Sequence, residues 1–93
     1  MKIVIDGIKM QQGTFTNKDT GESFNYDNVV FNGRRPYTIS NATGEEAVSV
    51  KIKRELLPSD MKDLESLKVL IGSKVSFDID RVNNGVYVAS CID

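Results

Sequence analysis

The 93-residue chain has no histidine and a single cysteine, Cys91. Lack of histidine removes the commonest general base near neutral pH and the commonest metal ligand, and it excludes Ser/His/Asp and Cys/His nucleophilic arrangements. A lone cysteine rules out an internal disulfide and fits a reducing compartment. No stretch approaches the ~20 apolar residues of a membrane-spanning helix. The opening MKIVIDG carries one lysine and no signal-peptide apolar run. A cytoplasmic location is therefore expected. A phosphate-cradling glycine loop is also missing, since GTFTNKDTG at 13–21 does not have its spacing. There is no bulk positive charge either: 12 Lys+Arg against 13 Asp+Glu give a formal net charge of -1. Any attraction for nucleic acid has to come from a local patch. The expectation is a protein that is not an enzyme and has no cofactor and no metal.

The hydrophobic share of 40% and the charged share of 27% are those of a soluble globular chain, and this length makes one domain, 1–93. Alternation predicts strands. In KIVID (2–6) Ile3 and Ile5 share a face; Gly7 interrupts, and Ile8 and Met10 continue in the opposite parity. A glycine at a parity switch is what a bulge or strand bend needs, and bent first strands help small barrels turn a corner. The strand can run on through Gly13 to Phe15 and Thr16. After the turn residues NKDTG (17–21), a second strand is predicted over 22–32, with Phe24, Tyr26 and Val30 in one parity and Val29 and Phe31 in the other. Asn32-Gly33 predicts a hairpin turn, and Pro36 suits an edge or loop.

AVSVKIK (47–53) alternates cleanly, with Val48, Val50 and Ile52 inward and Ser49, Lys51 and Lys53 outward. A helix is predicted over 59–71, capped by Ser59 or Asp60 and ended by Gly72, its stripe Met61, Leu64, Leu67 and Ile71 covering one end of the core. Strands over 73–80 and 86–92 flank an Asn83-Asn84-Gly85 turn. This β-β-β-α-β-β order predicts a mainly β fold, a small five-stranded barrel of the oligonucleotide/oligosaccharide-binding (OB) type with one short helix.

Few side chains offer chemistry. Asp78 and Asp80, on one face of a strand, are a pair that could hold a hard cation, but they read more simply as a solvated face. Glu45-Glu46 reads as a loop charge pair and Cys91 as a small packing residue. The one suggestive grouping is basic and aromatic. Arg34, Arg35, Lys51, Lys53 and Arg54 fall between residues 34 and 54, and Phe15, Tyr26, Phe31 and Tyr37 surround or interleave that stretch. Binding of single-stranded nucleic acid needs this combination: cations along the backbone and aromatic planes for the bases, at ~1–3 kcal/mol per stacked base. Each residue also has a plain structural reading, as a cross-strand aromatic partner or a solubilising lysine.

The segment GTFTNKDTGESFNYDNVVF (13–31), together with the short chain and the element order, resembles the small single-stranded DNA-binding, helix-destabilising proteins of phages and conjugative elements. In that family a first strand leads through a polar glycine-containing turn into a second strand bearing Tyr or Phe. The resemblance implies sequence-independent coating of single strands, DNA rather than RNA, usually by homodimers. It places the binding residues at Phe15, Lys18, Tyr26, Arg34, Arg35 and Tyr37, to which the outward Lys51 and Lys53 are added from the strand pattern. The slightly negative net charge and the lack of an acidic tail depart from many bacterial relatives. The competing expectation is a protein–protein module, a mobile-element-encoded inhibitor or assembly subunit that would use its tyrosines and a strand edge.

Overall fold

Period-two alternation along most of the chain dictates strands whose inner residues must meet across a shared interior. In the computed structural model, which describes residues 1–93, those strands are β1 (Lys2–Thr16), β2 (Ser23–Pro36), β3 (Glu45–Lys53), β4 (Lys74–Asn83) and β5 (Val86–Ile92). They form a closed barrel in the order β1-β2-β3-β5-β4. Every neighbouring pair is antiparallel except β3–β5, which is parallel. The fold is thus mainly β, a small OB-like barrel with one short helix between β3 and β4.

The interior is built from the inner parity of all five strands: Ile3, Ile5, Val29, Phe31, Val48, Val50, Ile52, Val75, Phe77 and Ala89. Phe31 and Phe77 meet at its centre with ring centroids 5.1 Å apart and planes tilted by 55°, a geometry that aromatic quadrupoles favour. Val48, Val50 and Ile52 lie inward as their alternation predicts. The register of β1 against β2 shifts between Ile5 and Gly7, so the glycine does mark a bulge, and it returns Ile8 and Met10 to the interior side. The turn between β4 and β5 also follows the sequence: Asn84 (φ 51°) and Gly85 (φ 78°) are both left-handed, as a two-residue hairpin turn requires.

Three expectations are corrected. Glu45 and Glu46 are not a loop charge pair: β3 begins at Glu45, and the two residues pair with Pro36 and Arg35 of β2. Asn32-Gly33 is not a turn, because β2 runs straight through it to Pro36, with Gly33 paired to Ile5 on one side and Val48 on the other. Two ladders outweigh the local turn preference. The helix is also much shorter than 59–71. Residues 58–63 form a turn in which the Met61 amide donates to the Pro58 carbonyl (2.9 Å), and only Leu64–Leu67, here α1, is α-helical, continuing as a 3₁₀ turn at Lys68–Leu70. Asp63, rather than Ser59 or Asp60, is the cap, its carboxylate accepting from the Ser66 amide at 2.7 Å; that bond holds the Asp63 carboxyl below its usual range. The 3₁₀ turn changes the spacing of the stripe. Leu67 is fully buried, Met61 and Leu70 pack against the core, and Leu64 and Ile71 are left about half exposed.

β1 and β2 outlast the rest of the barrel. β3 follows β2 only as far as the Asn28↔Lys53 pair, whereas β1 and β2 remain paired out to Thr16↔Ser23. Residues 12–16 and 23–27 therefore project as a two-stranded arm, and the molecule measures 48 × 33 × 18 Å. No helix is long and apolar enough to cross a membrane.

Candidate nucleic-acid interface

Strand registers place the outward residues in rows across the sheet. One row is Lys9 on β1, Val30 on β2, Lys51 on β3, Val88 on β5 and Arg81 on β4. The next row towards the arm is Gln11, Asn28 and Lys53, then Gly13 and Tyr26, then Phe15 and Phe24. In the other direction lie Gly7, Asn32 and Ser49, where the Ser49 hydroxyl donates to Asn32 Oδ1 at 2.7 Å. Val30 faces outward with this set yet is only 5% exposed, and it stands apart from the interior cluster. Its cross-strand neighbours on this face are Lys9 and Lys51, and it shares a cleft with Val86.

Lys51 lies at the centre of this face. It lines three adjoining clefts: one with Asn25, Tyr26, Lys53 and Arg81 that also takes in Asp27 (held by Arg54) and Glu55, one with Met10, Gln11 and Asn28, and one with Lys9, Asn32, Ser49 and Asn84. The walls are mostly amides, hydroxyls and cations. Lys9, Lys51 and Lys53 take part in none of the chain's ion pairs, while Arg81 shares an exposed one with Asp80 at 3.3 Å. Free ammonium groups on one face can neutralise phosphates, and the neighbouring amides can donate to or accept from base edges.

The expected site residues divide into three places. Phe15, Lys18 and Tyr26 belong to the arm, with Lys18 in its terminal turn, where Asn17 Oδ1 accepts from the Asp19 amide at 2.9 Å. Lys51 and Lys53 lie on the central face. Arg34, Arg35 and Tyr37 sit at the opposite end of β2 and are not brought together with the others.

The two arginines are already engaged. Arg34 bridges Asp6 (3.3 Å) and Glu45 (3.1 Å), whose hydrogen bonds raise its pKa further. Arg35 points to the inner parity at the barrel end, where it donates to Glu46 (2.9 Å) and to the Tyr87 hydroxyl (2.9 Å), with its guanidinium 5.2 Å from the Tyr87 ring centroid. Arg35 thus closes that end of the barrel. Arg54 likewise donates to Asp27 at 2.7 Å. Asp78 and Asp80 point to different partners: Asp80 takes Arg81, and Asp78 accepts the Cys91 thiol proton at 2.9 Å. That bond, with some burial, pushes the thiol up and keeps it protonated, a donor rather than a nucleophile.

No family model, curated protein or solved structure matches the chain. The site therefore rests on its own geometry, in which sequence reasoning missed Lys9, Phe24 and Arg81. The signal for Phe24 was present in its shared parity with Tyr26; Lys9 and Arg81 join the face only through β1–β2, β3–β5 and β4–β5 pairings.

Proposed function

We propose that the chain is a non-catalytic single-stranded nucleic-acid-binding protein that holds its ligand on the outward face centred on Lys51. The observation that carries this reading is the alignment on one face of three lysines that make no ion pair (Lys9, Lys51, Lys53) with exposed aromatics (Tyr26, Phe15, Phe24). The lysines meet phosphates and the aromatics meet bases, the two requirements of sequence-tolerant single-strand binding. The resemblance of residues 13–31 favours DNA, a phage or mobile-element setting in a bacterial cytoplasm, and a homodimer. Arg34 and Arg35, spent on Glu45, Asp6, Glu46 and Tyr87, are not part of the proposed surface.

A fluorescent oligonucleotide titration at several salt concentrations tests this. Wild type is expected to bind single strands tightly at low salt, and K51A/K53A to bind weakly, with a slope of log affinity against log salt shallower by roughly 1–1.5, because each single-strand phosphate contact contributes about 0.7. Arg34→Ala is expected to leave that slope unchanged. Absence of wild-type binding at low salt would overturn the reading and direct attention to a protein partner.

A further inference from the structure

Gly13 is a glycine whose backbone does not require one. Positive φ is confined to Gly21, Gly44, Gly72 and Gly85 among the glycines, and Gly13 has ordinary strand geometry opposite Tyr26. What the position uses is the missing Cβ. A methyl there would lie 2.6 Å from Tyr26 Cζ and 3.0 Å from Cε1, well inside contact distance. The Tyr26 ring therefore leans across β1 over Gly13, and the residue remains 46% exposed. The next rung outward, Phe15↔Phe24, is also open to solvent, at 60% and 52%.

The opposite side of the arm is polar and closed on itself. Gln12 donates to Asp27 (3.0 Å), Thr14 to Asn25 (2.9 Å), and the Thr16 and Ser23 hydroxyls meet at 3.1 Å. An isolated two-stranded ribbon is marginal in water, and this one turns its apolar side outward. That side continues directly into the lysine rows at Lys53 and Lys51. Exposed aromatics adjoining the unpaired Lys51 and Lys53 ammonium groups suit an occupant that carries flat apolar groups and anions together, which is a nucleic acid strand rather than a second apolar protein surface.

We propose that Gly13 positions Tyr26 as a nucleobase platform, and that this platform with the Phe15–Phe24 rung gives the face its selectivity for single strands over duplex. The inference rests on the nucleic-acid reading above. Phosphates of a duplex reach lysines as readily as those of a single strand, but duplex bases have their faces covered by one another. The aromatic rungs therefore contribute only when bases are unstacked. From the Val30 row to the Phe24 rung is six residues of β2, or about 20 Å at ~3.3 Å per residue, room for a run of several bases.

The experiment compares wild type, Gly13→Ala, Tyr26→Ala, the double variant G13A/Y26A, and F15A/F24A against one fluorescent oligonucleotide as single strand and as duplex, with a thermal melt of each protein. Tyr26→Ala is expected to reduce single-strand affinity roughly 5- to 150-fold, the range that ~1–3 kcal/mol per stacked base implies. Gly13→Ala is expected to reduce it in the same direction without lowering the melting temperature. Duplex affinity stays unchanged in both, and Gly13→Ala adds nothing in the Tyr26→Ala background. Wild-type single-strand affinity in Gly13→Ala would overturn the positioning role while leaving the nucleic-acid reading intact, as would parallel losses on single strand and duplex. A wild type that binds neither ligand removes both.

Discussion

Gly33 shows how a single position can carry opposite meanings in sequence and in space. Asn32-Gly33 has the composition of a hairpin turn, yet a Cβ at Gly33 would collide with the Val4 carbonyl oxygen and lie 3.1 Å from Ile3 Cδ1. The glycine is there because β1 crosses closely at the bulge, a constraint invisible to any local pattern. Gly33→Ala is expected to destabilise the fold by about 1–3 kcal/mol, the usual penalty of forcing extra volume into a packed site, read as a lower urea midpoint. Arg35 was similarly misleading. Its sequence context, beside Arg34 and Tyr37, suggested phosphate binding, but its inner parity aims it at Glu46 and Tyr87, with only 19% of its side chain exposed. Arg35→Ala should lower stability by about 1–2 kcal/mol through lost charge-assisted hydrogen bonds, with single-strand binding otherwise retained.

Among the elements, β3 was legible in its inward face, because strict alternation of Val48, Val50 and Ile52 with polar neighbours allows only one face to be inside; its start at Glu45, where Glu45 and Glu46 pair with the end of β2, was not. The helix was legible in position but not in length, since apolar spacing cannot reveal that Asp63 takes the cap and a 3₁₀ turn follows. The arm was legible only as a strand–turn–strand; that it leaves the barrel depends on where β3 stops.

Asp27 ties the root of that arm to the body. Its carboxylate accepts from Gln12 and from Arg54, and these bonds hold it below the usual aspartate range. Asp63 is lowered by its cap bonds as well. A depressed carboxylate stabilises the fold above its ordinary pKa, and that contribution is lost as pH falls through the lower folded value. Stability is therefore expected to be flat from neutral pH to about 5 and to decline below the ordinary aspartate value of roughly 4. Asp27→Asn should flatten part of that acid decline in urea titrations followed across pH; an unaltered acid limb would show that Asp27 does not contribute to it.

At the scale of the whole molecule, a net charge of -1 conceals a division of labour. Carboxylates neutralise the arginines at the barrel end and beneath the arm, while the lysines of one face stay free. The sequence listed the cations but not their partners, which is why the barrel was readable and the candidate face only in part. Lys51 and Lys53 were found by alternation; Lys9 and Arg81 needed the pairing of strands far apart in the chain.

That pairing has a consequence for how the chain comes into being. β3 sits between β2 and β5, and its parallel partners Tyr87, Val88 and Ala89 are synthesised more than thirty residues after Val50–Ile52. On the ribosome the β1–β2–β3 meander can pair as it emerges, but its edge stays unpaired and Ile52 lacks its cover until the last strand leaves the exit tunnel. High contact order of this kind slows folding and lengthens the time a sticky edge is open to other nascent chains. The same ring that leaves the finished protein with a closed sheet thus concentrates its risk of misassembly in the interval before residue 92 is free.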